Sequence, residues 1–315
     1  MVILDLGFCF NLIFILSLPG TDCKKTPPSN KIVDGVDAGI NEFPYIVSIN
    51  ATSEGPDGQV TNYGTGVLVG NGYVLTVKSL AFRMDGDAAV SEKDLSIFPN
   101  LKNDLKHPSY ATLKPLKVEK RFCPPMEGYE NILIDKLDLV LLKLKMTNKR
   151  DKAYQSIIPV KKGLPDKKYR FKIAGWGMTD KTDFNTKRGD LQVAGVSVTF
   201  QNCVTECDLT LVGEDDGTEK AVCFGDQGGP VVLYKDKNPS LVGLILPAEK
   251  ECTTNKFINV MPLKDWIDKV ISGDEIASTN CLSSGKQIKD APYKLPGPVS
   301  TRSYKMASLR ESKTG

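Results

Sequence analysis

Short apolar runs set the strongest limit on how this chain can fold. Between residues 45 and 246, apolar runs of four to eight residues recur, bounded by Gly, Asn, Asp and Pro. Runs of this length are typical of short β-strands, and no helices alternate with them, which predicts an all-β barrel or sandwich. The clearest predicted strands are residues 45–49, 66–69, 73–76, 139–144, 170–174, 193–200, 230–234 and 241–246.

One segment near the C-terminus has helical periodicity instead. Residues 263–271 place Leu263, Trp266, Ile267 and Val270 on one face of a helix. This pattern predicts one amphipathic helix after the last strand.

The first 22 residues have the features of a signal peptide. An apolar run extends from Gly7 to Leu18 and gives way abruptly to polar sequence. A short membrane anchor is the alternative, although the run is too brief to span a bilayer comfortably. We therefore expect a secreted, extracellular protein without a membrane span. The sequon at Asn50 predicts N-glycosylation in the same compartment.

Cysteine usage favours the same compartment. The chain has eight cysteines, and Cys9 would leave with the signal peptide, so that seven remain. His107 is the only histidine, so no cysteine pair has the histidines that zinc-type spacing requires. Disulfides are therefore the better interpretation, with one thiol free or paired between chains. We expect no metal and no cofactor.

Charge sets few limits on the partner. The net charge is +3 from 41 basic and 38 acidic residues, which implies neither nucleic acid nor an anionic membrane. Residues 273–315 are expected to form a basic, disordered tail, with seven basic and two acidic residues from 282 onward. This tail is either a solvated segment without function or an electrostatic docking arm.

Motifs in chain order resemble the chymotrypsin and trypsin family of serine peptidases. The loop from Gly225 to Pro230 resembles the family's nucleophile loop, and five other landmarks agree with it in order. They are Lys31-Ile32-Val33-Asp34-Gly35, Tyr73-Val74-Leu75-Thr76, Asp138 to Leu144, Gly175-Trp176-Gly177, and Phe257 to Ile267, which resembles the family's last strand and closing helix. The resemblance covers residues 32–272 and implies two packed antiparallel six-stranded β-barrels with a C-terminal helix, after a short pro-segment at residues 23–31.

The resemblance places substitutions at two of the three catalytic positions. Ser79 stands at the histidine position, Asp138 at the aspartate and Gln227 at the serine. Hydrolysis on this scaffold needs a hydroxyl nucleophile and an imidazole base, and neither a serine nor an amide can act as the base. His107 lies in a segment that resembles a surface loop of the family. Losing nucleophile and base together costs on the order of a million-fold in turnover.

The surviving aspartate needs a donor if it is buried. Lys78 is either a salt-bridge partner of Asp138 or a solvated side chain. An enzymatic alternative pairs Ser79 with Lys78 as its base. Adjacent side chains of a strand project to opposite faces, which disfavours that dyad.

Substrate recognition is also altered at the positions that the resemblance assigns. The oxyanion-hole donors would be the backbone N–H groups of Gly225 and Gln227, which survive any side-chain change and could hold a carbonyl. Ala221 stands at the base of the specificity pocket and removes the family's aspartate. Leu246 and Pro247 replace residues of its wall.

The family's activation chemistry keeps its residues. Cleavage after Lys31 would free the amine of Ile32 to pair with Asp226, so an ordering switch without catalysis is one hypothesis. The alternative is that the motif is an evolutionary remnant and that the bond after Lys31 is not cleaved.

The resemblance also assigns some of the cysteines. It implies a Cys223–Cys252 disulfide, and it places Gly64 and Leu80 where a second bridge is lost. Cys203 matches half of a third bridge, with Cys207 as its candidate partner, whereas the pairing of Cys23, Cys123 and Cys281 cannot be deduced.

These features predict a secreted, inactive serine peptidase homologue that binds another secreted protein, possibly a protease or its substrate, as a cofactor, decoy or regulator of proteolysis or immunity. A serine-type endopeptidase with residual activity and a structural component of a secretion are the alternatives.

Overall fold

Strands and turns carry nearly all of the regular structure. The computed structural model describes residues 32, 35–39, 41–55, 58–70, 72–82, 90–99, 114–124, 137–147, 169–177, 190–200, 210–213, 222–235, 238–248, 252, 255–274 and 281. Its strands are β1 Val36–Asp37, β2 Ile46–Gly55, β3 Gly58–Gly70, β4 Tyr73–Thr76, β5 Leu95–Pro99, β6 Leu116–Phe122, β7 Val140–Leu144, β8 Tyr169–Gly175, β9 Gln192–Phe200, β10 Thr210–Gly213, β11 Pro230–Lys235, β12 Asn238–Ile245 and β13 Lys256–Asn259. Its α-helices are α1 Lys78–Ala81 and α2 Lys264–Ser272, and short 3-10 turns lie at Glu92–Asp94 and Met261–Leu263.

The N-terminal half forms a closed antiparallel barrel. Its strand order is β2-β3-β4-β7-β6-β5, and every pairing is antiparallel. On β5 the burial alternates, so that Leu95 and Ile97 face the core whereas Ser96 and Phe98 face outward. A closed barrel leaves no unpaired sheet edge in its wall.

The C-terminal half is a second antiparallel sheet of seven strands. Its order is β1-β9-β10-β13-β12-β11-β8, and β8 pairs back onto β9, so that six strands form a continuous ring of pairings. Phe171, Phe257 and Val231 are buried inside it. Tyr234 of β11 and Tyr45 meet through their hydroxyl oxygens at 3.2 Å, which joins this sheet to the N-terminal barrel.

The predicted amphipathic helix is α2. Trp266, Ile267 and Val270 are buried on one face, as the periodicity indicates, and Gly273 ends the helix in the left-handed conformation that glycine adopts without strain. Ile271 fills the space at Gly70 of β3, where an added Cβ would lie 2.8 Å from its Cδ1 atom. The C-terminal helix therefore packs on the N-terminal barrel.

The predicted all-β fold with barrels and a C-terminal helix is confirmed. All eight predicted strands are present, although β2 and β3 extend well beyond their apolar runs as a long hairpin. Five strands, β1, β5, β6, β10 and β13, are not among these eight. Among the helices that the structure describes, none has the length and apolar character needed to cross a membrane.

Two disulfides are present in the described part of the chain. Cys223 pairs with Cys252, as the resemblance implies. Cys123 pairs with Cys281 across 158 residues of sequence, with their Cα atoms 5.1 Å apart, and this bridge ties the end of β6 to the segment after α2. Cys9, Cys23, Cys203 and Cys207 lie outside the described residues.

Candidate active site

Antiparallel pairing brings the first two triad-equivalent positions together. Thr76 at the end of β4 lies opposite Val140 at the start of β7. The chain continues from β4 into α1, which carries Ser79, and Asp138 lies just before β7. Because the end of one strand meets the start of its antiparallel neighbour, the two residues meet at the same rim of the barrel.

Ser79 satisfies Asp138 twice. The Ser79 backbone N–H donates to Oδ1 of Asp138 at 2.5 Å, and the Ser79 hydroxyl donates to Oδ2 at 2.6 Å. The hydroxyl thus donates to the carboxylate oxygen that, in a catalytic triad, would accept the imidazole N–H and orient the ring. Ser79 is poorly placed to attack a substrate, because its hydroxyl donates to Asp138 and the residue is only 7% exposed.

The surroundings of Asp138 make its carboxyl group easier to protonate than a solvated aspartate. Its side chain keeps some exposed surface, but protein atoms surround the carboxylate, and this desolvation raises the pKa of Asp138. The two hydrogen bonds from Ser79 and the charge of Lys78 act in the opposite direction without cancelling it. Lys78 and Ser79 lie in the one-turn helix α1, not on a strand, so the strand argument against their pairing does not apply. The predicted Lys78–Asp138 salt bridge stays a prediction.

We expect Asp138→Asn to be tolerated and Asp138→Ala to be costly. An asparagine can accept from the Ser79 N–H and donate to the Ser79 oxygen, whereas alanine leaves both donors without their acceptor, at a cost of about 1–3 kcal/mol. Chemical denaturation at pH 7 should rank wild type and Asp138→Asn together, above Asp138→Ala.

The pH dependence gives a second test of the same site. Because the folded-state pKa of Asp138 is raised, the native state binds more protons than the unfolded state between the ordinary aspartate pKa and the raised one. Native stability contributed by this group therefore increases as pH falls through that window. Asp138→Asn should lose this increase, and an unchanged pH profile would contradict the assignment.

Gln227 lies in a tight turn before β11. Gly225 and Gly228 on either side of it have φ of 98° and 81°, which glycine adopts most readily. An added Cβ on Gly228 would lie 2.1 Å from the Thr65 carbonyl oxygen. The turn is therefore packed directly against β3, and the Thr65 N–H donates to the Gln227 carbonyl at 2.9 Å.

The side-chain amide of Gln227 folds back onto the backbone of its own site. The Gly225 N–H donates to the Gln227 Oε1 atom at 2.7 Å, and the Gln227 Nε2 atom donates to the Tyr63 carbonyl at 2.7 Å. Gln227 is only 8% exposed. The amide is therefore held at both ends and bridges the nucleophile loop to β3.

This contact corrects the sequence-based view of the oxyanion hole. The Gly225 N–H was expected to remain available to a carbonyl, but in the structure it donates to the amide oxygen of Gln227. A carbonyl could reach that donor only after Gln227 has moved away. The Tyr63 carbonyl was not anticipated, because a backbone acceptor leaves no trace in side-chain types.

Asp226 is enclosed between two glycines. Its side chain is fully buried, and it accepts from the Gly177 N–H at 2.7 Å and from the Cys223 N–H at 3.0 Å. An added Cβ on Gly175 or Gly177 would lie 2.2 or 2.3 Å from atoms of this carboxylate. The Gly-Trp-Gly landmark thus makes room for the aspartate.

The activation residues are only partly described. Ile32 is fully buried among the apolar residues of the second sheet, in the same cluster as Cys223, and has φ of 41°. Lys31 lies outside the described residues, so cleavage after it stays a prediction.

The remaining predicted positions differ in burial, and two of them lie outside the described residues. Leu246 is half-buried and Pro247 is buried, whereas Ala221 and His107 lie outside the described residues. The Leu80 side chain occupies the space at Gly64, where an added Cβ would lie 2.3 Å from Leu80 Cδ2. An apolar contact thus stands where the family resemblance implies a lost bridge. Asn50 lies half-buried on β2.

Comparison with known proteins defines the class of this chain. The family model described as Trypsin matches residues 32–267. The chain therefore belongs to the trypsin family of serine peptidases, as its two sheets and the order of its motifs indicate.

Two relatives illustrate the range of similarity. Granzyme M of Rattus norvegicus is 28% identical over 265 residues, which cover 76% of this chain and 89% of the relative. Collagenase of Hypoderma lineatum is 25% identical over 280 residues, covering 82% of this chain and 97% of the relative.

The described residues hold no group of three or more His, Cys, Asp or Glu side chains that could bind a metal ion. The side chains at the three triad-equivalent positions carry a serine hydroxyl, a carboxylate and an amide. The hydroxyl donates to the carboxylate, whereas the amide forms hydrogen bonds with the backbone of Gly225 and Tyr63.

Proposed function

We propose that this chain is a secreted, catalytically inactive member of the trypsin family that acts by binding another protein. The observation that carries the proposal is the position of the Gln227 amide, which replaces the nucleophile and also takes up the Gly225 N–H. One substitution thus removes the attacking oxygen and occupies a donor that would stabilise the tetrahedral intermediate.

The second support is the role of Ser79. Its hydroxyl donates to Asp138, and a serine cannot accept a proton near neutral pH. The carboxylate that would orient a base is therefore present, but the residue beside it has no basic nitrogen. A partner protein such as a protease or a protease substrate would bind loops and the cleft surface without being cut.

The family relationship keeps a serine-type endopeptidase as the second candidate. Labelling with a fluorophosphonate probe, combined with turnover on a mixed peptide library, separates the two functions. We expect neither labelling nor turnover from the purified chain. Labelling that disappears in Ser79→Ala would establish an enzyme and overturn the proposal.

Binding needs its own measurement, because a bulk structural component of a secretion would also be unreactive. We expect pulldown from the host's extracellular fluid to capture a partner at defined stoichiometry, both with the full chain and with a chain that ends at residue 283. Absence of a saturable partner in both experiments would contradict the binding role.

A further inference from the structure

Lysines line the outer face of the N-terminal barrel where β6 and β7 pair. Lys117, Lys120 and Lys145 are exposed and Lys143 is half-buried, whereas the other residues of β6 and β7, except the exposed Glu119, are buried. The Lys117 ammonium also donates to the Lys93 carbonyl at 3.2 Å, which places Lys93 beside them. We call these five lysines the basic face.

The basic face contains like charges directly opposite one another. Lys120 is the cross-strand partner of Lys143, and the Lys145 N–H donates to the Lys117 carbonyl at 2.8 Å. The Cβ atoms of such opposed residues are about 5 Å apart, and like charges placed directly opposite one another destabilise a sheet. Two adjacent pairs of this kind concentrate positive charge that an anion lying over them would neutralise.

Little on the same strands offsets this charge. Glu119 is the one acidic residue of β6 and β7, and it reaches Lys143 at 3.4 Å as an exposed ion pair, which contributes little. Glu92 nearby is engaged by the buried Arg121 guanidinium at 2.9 Å. The Lys120 ammonium lies over the Phe122 ring, 4.9 Å from its centroid, and Lys120 is exposed.

The disulfide Cys123–Cys281 adds a second source of positive charge. Cys123 directly follows β6, so the bridge fixes Cys281 beside the basic face. Residues 282–315 follow Cys281 and carry seven basic and two acidic residues. A covalent link thus starts this basic segment at the edge of the same surface.

We propose that the basic face binds a sulfated polysaccharide. A linear chain with sulfates at intervals can lie along the two strands, where Lys117 and Lys120 are separated by roughly 10 Å. Lysines act as point charges for such groups without demanding a fixed geometry.

The surface fits other anionic partners less well. Membrane binding gains from inserted apolar side chains, but Val36 and Tyr63, the large apolar residues that are exposed in the described part of the chain, lie on other strands. Single-stranded nucleic acid uses exposed aromatic platforms, whereas Phe122 and Tyr73 are buried here.

The test compares two double variants of equal charge. Lys120→Gln/Lys145→Gln alters the basic face, and Lys264→Gln/Lys269→Gln removes the same charge from α2. Binding of the full-length purified chain to size-defined heparin is measured by fluorescence over a range of salt concentrations. We expect the first variant to bind at least about tenfold more weakly, with the slope of log K against log salt reduced by roughly two, and the second to change less than twofold.

Three results would overturn the proposal. The first is equal heparin affinity of the two double variants. The second is loss of all binding when the chain ends at residue 283 with its lysines intact, because the tail alone would then be the site. The third is tighter binding to phosphatidylserine vesicles or to single-stranded oligonucleotides than to heparin, which would assign another partner.

Discussion

Ser79→His combined with Gln227→Ser should convert this chain into one that reacts with a fluorophosphonate probe. A histidine at position 79 can keep the backbone N–H donation to Asp138 and replace the Ser79 hydroxyl by a ring N–H on the other carboxylate oxygen. A serine at position 227 supplies the attacking oxygen and removes the amide from the Gly225 N–H. The two changes therefore rebuild a base, a nucleophile and an open donor together.

The single variants should remain unreactive. Gln227→Ser has a hydroxyl and a vacated Gly225 N–H but no base, and Ser79→His has a base but no hydroxyl. Because such groups act as a unit, the double variant should label at least about a thousandfold faster than either single one. Probe labelling followed by mass spectrometry gives both the rate and the site.

Two outcomes would contradict this interpretation. A folded double variant that does not label would mean that features outside these two positions also block the chemistry. Labelling of Gln227→Ser alone at the rate of the double variant would mean that another group acts as the base. Adding Asp138→Asn to the double variant should abolish most of the gain, since the orienting carboxylate is lost.

The sequence could predict which residues meet but not how they bond. Order along the chain places Ser79, Asp138 and Gln227 at equivalent positions of a known fold, and β4–β7 pairing explains why the first two come together. The Gln227 amide, however, bonds a carbonyl 164 residues earlier in the chain. Nothing in the local pattern distinguishes an amide that points to solvent from one that folds back.

Strand β6 escaped prediction for a physical reason. On β6 the alternation of apolar and polar residues is broken by a register shift after Val118 and by the buried Arg121. Its guanidinium donates to the Val90 carbonyl at 2.6 Å and to Glu92, so a charged residue occupies an interior position. Period-two patterns fail where a bulge changes the register or a buried charge is satisfied locally.

The disulfide pairing shows a different limit. Cys123 and Cys281 are 158 residues apart, and the sequence leaves their pairing open, so only their positions in the folded chain identify them as partners. By contrast, the sequence alone shows that Gly64 and Leu80 stand where the resemblance implies a cysteine pair. Only the structure shows their apolar contact, because it depends on where the Leu80 side chain lies in the folded chain.

Gly177→Ala should destabilise the protein by about 3 kcal/mol or more. The new methyl group would lie 2.3 Å from Asp226 Cγ and within 2.5 Å of both carboxylate oxygens, so the side chain must move. Asp226 is fully buried and accepts the Gly177 N–H at 2.7 Å. Moving it therefore adds the loss of hydrogen bonds to a buried carboxylate to the cost of overpacking.

Gly195 provides the matched control. It lies on the exposed side of β9, and an added Cβ would meet no atom within 4 Å. Gly195→Ala should leave stability unchanged or raise it by about 0.5–1 kcal/mol, because alanine restricts the unfolded chain. Urea denaturation of the two variants tests the difference, and equal midpoints would mean that Asp226 is not confined as described.

A double-mutant cycle assigns the cost of Gly177→Ala to the carboxylate. Asp226→Ala removes the side chain with which the new methyl group collides, and it has its own cost because the Gly177 and Cys223 N–H groups lose an acceptor. If the collision is the cause, adding Gly177→Ala to Asp226→Ala should cost much less than adding it to wild type. Additive costs would instead place the strain in the backbone of Gly177, and the glycine would then be needed for its own conformation and not to make room for the aspartate.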